Sequence, residues 1–149
     1  MNKIGVFFIC LFVLACNSND EPTIENKCDV SSEIISSEDF SAVSTSNYVI
    51  TKVEINEDCI EITFGSNGCG TELWEEHLFS VDSFYTTFPY QRALKMELIN
   101  EELCDANFIK MVSFNLIPLQ LEGQDLLPLN IYGWNEQVKI GRASCRERV

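Results

Sequence analysis

Between residues 48 and 64 β-branched and aromatic residues gather in two runs, and in the second they recur at every second position, the period of a half-buried strand and not of a helix. Residues 48–55 and 59–64 form two such runs, and Asn56-Glu57-Asp58 between them has the length and chemistry of a hairpin loop. In the second run Ile60, Ile62 and Phe64 alternate with Cys59, Glu61 and Thr63, so one face is expected in a core and the other in water. Residues 65–70, with three glycines, read as a tight turn. Residues 73–81 give a third extended segment, with a short helix over 72–79 as the alternative. Residues 92–99 set Leu94, Met96 and Leu98 against Ala93, Lys95 and Glu97. Residues 108–116 place Phe108, Val112 and Phe114 on one side, where Lys110 interrupts the apolar row. Residues 100–106, acidic at their start, could form a helical turn, and shorter runs lie at 119–121 and 126–134. About seven short strands at spacings of roughly 8 to 15 residues, without a long helical period, predict a mainly β fold: an antiparallel β-sandwich.

The first residues carry a different pattern. Lys3 precedes the apolar run 4–14, which is about half of the ~20 residues a helix needs to cross a bilayer. This is the core of a signal peptide, residues 1–15. Val13-Leu14-Ala15-Cys16 resembles a bacterial lipobox, in which the Cys is acylated and becomes the new N-terminus. The alternative is an ordinary secretory signal cut after Ala15. Acylated Cys16 is then the membrane anchor, since two or three chains hold durably where one does not. Asp20-Glu21 close behind it resembles a surface-export signal of Bacteroidetes lipoproteins, with the solvated start of a linker as the alternative, and the expected location is the cell envelope, as an outer-membrane lipoprotein facing the periplasm or the surface. Residues 16–47 are rich in Ser, Thr, Asn and acids and read as a flexible acidic tether, too poor in apolar surface to offset the entropy of ordering.

The last eleven residues, KIGRASCRERV, hold four of the ten basic residues and break the alternation. Their back-translation resembles the read-through of a sequencing adapter, which makes 139–149 a non-native tail and 48–138 a sandwich domain truncated at its C-terminus. The alternative is a genuine basic tail that seeks phosphate or anionic lipid. The whole chain has 23 acidic and 10 basic residues, a net charge of −13. Without the tail, 22 acidic and 6 basic remain, a net of −16. Nucleic acid, which is bound by Lys and Arg displacing counterions, is an unsuitable partner for such a chain.

Of seven cysteines, Cys10 leaves with the signal, Cys16 takes lipid and Cys145 lies in the tail. Cys28, Cys59, Cys69 and Cys104 remain, and an even number in an exported domain reads as two disulfides with three connectivities. Cys69 with Cys104 and Cys28 with Cys59 are favoured, because Cys69 and Cys104 each lie at a turn where loops at one end of a sandwich can meet. Four thiolates can also hold zinc, but no Cys-x-x-Cys pair is present, so neither a metal nor a cofactor is expected.

No catalytic motif is found. His77 is the sole histidine and sits within strand-like patterning, no Gly-x-Ser-x-Gly elbow occurs, and the glycines of 65–70 lack a phosphate-loop ending. Glu75-Glu76 and Glu101-Glu102 are the acidic pairs an enzyme or a Ca²⁺ site would use, against the simpler reading of solvated faces. Tyr132 and Trp134, at alternate positions, are expected to share a strand face and to offer a stacking surface to sugar or peptide, although a packing role is commoner.

Cys59-Ile-Glu-Ile-Thr-Phe, Gly68-Cys69-Gly70, Pro89-Tyr-Gln-Arg92, Glu102-Leu-Cys104, Val112-Ser-Phe-Asn-Leu116 and Gly133-Trp134 together resemble a group of small uncharacterised lipoproteins of the Bacteroidetes, over most of the domain. That resemblance implies export and lipidation, with a final strand beyond Gly133-Trp134 that this chain is expected to lack, and carries no activity. The function expected is a lipid-anchored β-domain that binds a protein or glycan partner. The alternatives are an inhibitor or immunity-type protein blocking its target through a rigid loop over 65–73, and an enzyme using the acidic pairs.

Overall fold

The computed structural model describes residues 27–84, 89–122, 124 and 126–141. The signal segment, Cys10, Cys16 and residues 142–149 with Cys145 lie outside the described residues. The described chain runs β1 (Val30–Ser31), β2 (Glu33–Ile35), α1 (Ser37–Ala42), β3 (Val49–Asn56), β4 (Cys59–Gly68), β5 (Glu75–Val81), β6 (Arg92–Ile99), β7 (Ala106–Asn115), β8 (Leu126–Ile131) and β9 (Val138–Gly141), with a 3-10 turn over Ile117–Leu119.

Two sheets face each other as a sandwich, ordered β1-β7-β4-β3 and β2-β5-β6-β8-β9. Pairings β3–β4, β4–β7, β5–β6 and β8–β9 are antiparallel, as the alternation leads one to expect, while β1–β7, β2–β5 and β6–β8 are parallel. The core is the set of inward positions: Ile60, Ile62 and Phe64 from β4, Leu94 and Met96 from β6, Phe114 from β7 and Leu129 from β8 are all fully buried.

Several expectations change. Residues 28–47 are not free tether. β1 joins one sheet and β2 the other, and between them buried Ser32 gives both its hydroxyl and its N–H to the Asn115 carbonyl. Main-chain pairing, the Cys28–Cys59 bond and a few apolar contacts such as that of buried Phe40 order this stretch, although its composition is mostly polar. α1 follows, N-capped by Ser36, whose side chain accepts from the Asp39 N–H.

The glycine-rich turn is also corrected. β4 continues through Gly65 to Gly68, ten residues in all, because β7 is long enough to pair with it down to Ala106. Neither the short helix over 72–79 nor the helical turn over 100–106 forms; the first is occupied by β5 and the second runs without regular structure into β7. Finally, the boundary expected after Val138 falls inside β9. Val138 and Ile140 pair with Leu129 and Leu127 and resume the alternation, with Ile140 buried.

Beyond the stretch where β8 pairs with it, the outer edge of β6 is sealed by single groups. Leu94, Met96 and Leu98 present their carbonyls on that side, and these accept from the Tyr132 N–H, the Tyr48 hydroxyl and the Asn47 amide. Such sealing satisfies backbone groups that would otherwise invite another strand.

Candidate functional site: the stapled end of the sandwich

β4 has a disulfide at each end. Cys59 begins the strand and bonds Cys28, with Cα atoms 5.8 Å apart; Cys69 follows its last residue and bonds Cys104, with Cα atoms 5.0 Å apart. This is the favoured connectivity. Ten residues at ~3.3 Å each separate the two staples by about 30 Å, so they fasten opposite ends of the molecule. The chain arriving from the N-terminus is tied at the Cys59 end. Loops β4–β5 and β6–β7 meet at the Cys69 end.

One carboxylate organises those loops. Glu102 Oε2 accepts from the Cys69 N–H at 3.0 Å, the Gly70 N–H at 3.4 Å and the Trp74 indole N–H at 3.1 Å. Asn100 Oδ1 accepts from the Glu102 N–H at 3.0 Å, and its amide nitrogen donates to the Asn67 carbonyl at 2.7 Å. Gly68 lies against this arrangement so closely that a Cβ there would stand 2.5 Å from Glu102 Oε2 and 3.0 Å from the Trp74 nitrogen. Here the glycine is required by close approach.

Beneath the loops the core closes on an ion pair between the sheets. Lys110, which interrupts the apolar row of β7, points inward and meets Glu76 of β5 at 2.7 Å; its ammonium also donates to the carbonyls of Thr71 at 3.3 Å and Trp74 at 3.5 Å. Phe64 and Trp74 stack above it, ring centroids 5.8 Å apart.

The outward side of this end is apolar in the middle and acidic around it. Leu103 is 97% exposed, Leu73 75% and Ile99 41%. A hollow of about 420 Å³ lies between Leu73, Glu75, Ile99, Glu101 and Glu102. Across Glu102 a polar cleft of about 450 Å³ is lined by the amides of Asn47, Asn67, Asn100 and Asn107. The sequence singled out the loop over 65–73 and the two cysteines; it did not single out Leu73 or Leu103, whose signal was apolar residues standing outside any alternation.

The acidic pairs do not act as pairs. Glu76 is buried against Lys110 while Glu75 faces water, and Glu102 is drawn into the loop while Glu101 faces water. Glu75 and Glu76 are neighbours on a strand and point to opposite sides, while in the irregular loop Glu102 is turned inward by its hydrogen bonds and Glu101 is not. Among the described residues no three His, Cys, Asp or Glu side chains converge as metal ligands. His77 stacks on Phe79 along one face of β5, centroids 5.7 Å apart, beside cross-strand Glu97.

Tyr132 and Trp134 form no shared platform. β8 ends at Ile131, and Gly133, with φ of 84°, turns the chain between them. Tyr132 goes to α1, edge-on to Phe40 at 6.0 Å. Trp134 packs on the core, its indole N–H buried without a hydrogen-bond partner among the described residues.

No protein-family model matches this chain, and no curated protein matches it. Among solved structures it is similar to a protein of unknown function, DUF1344, from Bacteroides vulgatus ATCC 8482, with a TM-score of 0.52 and 14% identity over 80% of this chain and 60% of that one. A "Putative TOXIN related protein" from Parabacteroides distasonis ATCC 8503 follows, with a TM-score of 0.46 and 15% identity over 74% of this chain and 59% of that one. At these identities the likeness to the first is one of fold. This chain spans about three fifths of the length of each. The fold is thus a two-sheet β architecture with a Bacteroides structural relative, and two disulfides fit an extracytoplasmic protein.

Proposed function

We propose that this chain is an exported, lipid-anchored binding module of the cell envelope, and that its partner engages the end of the sandwich closed by Cys69–Cys104. The observation that carries this reading is the pair Leu73 and Leu103, held in water on loops that a disulfide and the Glu102 hydrogen bonds fix in place. Apolar side chains exposed on rigid loops are the common anchors of protein interfaces, because little ordering entropy is lost when they are covered. The same rigidity favours the inhibitor or immunity-type version of the reading, in which the loops occlude a target.

Acylated Cys16 supplies the anchor in this reading. It stands twelve residues before Cys28, so the connecting chain reaches at most about 40 Å. Because Cys28 is tied to the start of β4 and the stapled loops follow its end, the loops face away from the bilayer. Glycan binding through the amide cleft is the competing reading, and catalysis by Glu75 or Glu101 a weaker one.

Two measurements test the proposal in the native host. Radiolabelled palmitate should enter the full chain and should not enter a Cys16→Ala variant. A photo-crosslinking residue at position 103 should trap one discrete partner, while the same residue at position 54, on the opposite end, should not. Equal trapping at both positions, or none at 103, overturns the binding assignment.

A further inference from the structure

Resting on that reading, we infer that the stapled end docks a basic protein segment, one that presents Lys or Arg side chains around an apolar residue. The charge of the two loops argues for it. Residues 69–76 and 99–105 contain Glu72, Glu75, Glu76, Glu101, Glu102 and Asp105 and not one Lys, Arg or His. Glu76 is spent on Lys110, and Glu102 is turned inward onto the N–H groups of the neighbouring loop. Glu75, Glu101 and Asp105 are left facing water around Leu73, Ile99 and Leu103, and so is Glu72, although its Oε2 also accepts from the Thr71 N–H at 3.0 Å.

Other occupants meet repulsion or distance. An anionic bilayer or nucleic acid would face an acidic rim whose nearest cation among the described residues, Lys110, is already paired with Glu76. A second copy of this chain brings the same rim and a net charge of −13. An uncharged apolar partner would cover Leu73 and Leu103 but leave the carboxylates beside the contact poorly hydrated and unpaired. A basic segment with an apolar centre satisfies both parts: its hydrophobe fills the hollow between Leu73 and Ile99, and its cations pair with the carboxylates at the rim, where complementary charge also speeds encounter.

The test uses the full chain and three fluorescein-labelled twelve-residue peptides, alternating Lys-Leu, Lys-Ser and Glu-Leu, read by fluorescence anisotropy at 50 and 300 mM salt. The Lys-Leu peptide should bind at least tenfold more tightly than either of the others, and less tightly at the higher salt. Leu73→Ser with Leu103→Ser should weaken it about tenfold. Glu72→Gln, Glu75→Gln and Glu101→Gln together should weaken it as much, whereas Glu54→Gln, Glu61→Gln and Glu136→Gln, which remove the same charge elsewhere on the surface, should leave it unchanged. All these side chains but that of Glu61 are well exposed, and a thermal melt checks that each variant folds.

Equal loss from the two triple variants means unlocalised attraction and overturns the inference. So does binding of the Glu-Leu peptide as tight as that of Lys-Leu, or saturable binding of a chito-oligosaccharide when neither Lys peptide binds. A discrete cross-link at position 103 together with any of these results would leave the binding-module reading standing while removing the basic partner. Absence of that cross-link removes the reading itself.

Discussion

The Tyr48 hydroxyl, at the entry to β3, donates to the main-chain carbonyl of Met96 in the opposite sheet. The ring packs edge-on to Phe64 at 5.9 Å, so this one residue ties the edge of the first sheet to the exposed backbone of β6. Burial, with Glu97 nearby, raises the phenol well above its ordinary pKa. A folded-state pKa raised in this way stabilises the fold fully below the unfolded tyrosine value of ~10 and loses that contribution as pH rises beyond it. Urea denaturation followed by circular dichroism should therefore show stability falling above pH ~10. Tyr48→Phe should be less stable by about 1 kcal/mol at pH 8 and should fall less steeply in alkali. Parallel alkaline limbs for the two proteins would show that Tyr48 does not control this loss.

The strands of the core were legible because each repeats a two-residue period against a buried face: Ile60, Ile62 and Phe64, or Leu94, Met96 and Leu98, need no tertiary information to be aligned. What stayed hidden depends on partners far away in sequence. Ser32 is a loop residue by composition and becomes buried only because Asn115 offers it a carbonyl. Lys110 looks like a fault in a strand until Glu76 is placed opposite. The stapled end was half visible. Cysteine parity and turn positions indicated Cys69 with Cys104, but adjacent acids read as pairs, whereas strand alternation sends Glu75 and Glu76 in different directions and loop geometry does the same to Glu101 and Glu102.

Glu102 should carry more of the loop's order than its neighbours do. Its Oε2 serves three donors, Cys69 N–H, Gly70 N–H and Trp74 Nε1–H, and truncation leaves them unsatisfied together. Hydrogen bonds to a charged group contribute ~1.5–3 kcal/mol each and are not additive, so Glu102→Ala should cost about 3 kcal/mol and broaden the near-ultraviolet signal of Trp74. Glu102→Gln keeps an acceptor oxygen and should lose less. Gly68→Ala should resemble the alanine variant, since the added Cβ takes the space of the carboxylate. A Gly68→Ala protein as stable as wild type, with an unchanged tryptophan spectrum, would contradict this account.

Lys95 sits on the side of β6 where alternation places wet residues, yet it is buried. α1 covers it. The ammonium donates to the carbonyls of Phe40 at 2.8 Å and Val43 at 3.3 Å, satisfying the C-terminal end of the helix, and lies 4.9 Å and 5.1 Å from the ring centres of Phe40 and Tyr132. Lys95→Met preserves the stem and removes the donor. It should lower stability by about 2 kcal/mol, and amide exchange should accelerate in residues 37–43 before it does in β4. Uniform acceleration across both would mean the lysine supports the whole sandwich and not α1 alone.

Asp29 clips the N-terminal segment to β7. Its Oδ2 accepts from the Ser113 N–H at 2.9 Å and the Ser113 hydroxyl at 2.6 Å, while the Ser113 oxygen accepts from the Asp29 N–H at 3.0 Å. These bonds, the side-chain one foremost, hold the carboxyl below its ordinary pKa, with Lys110 adding to the effect and partial burial opposing it. A depressed folded-state pKa contributes stability above the unfolded aspartate value of ~3.9, and that contribution disappears as pH falls through the folded value. At pH 6 the wild type should therefore be more stable than Asp29→Asn, with slower amide exchange over residues 29–32. The difference should shrink below pH ~4 and disappear once acid protonates the carboxyl in the folded protein too. The Cys28–Cys59 bond should keep the segment attached in both, so the exchange of residues 29–32 should respond to acid while that of Ile60 and Ile62 in β4 does not until the whole domain unfolds. A gap between the two proteins that persists unchanged at pH 2 would show that the asparagine disturbs packing and that the charge of Asp29 is not what holds β1 in place.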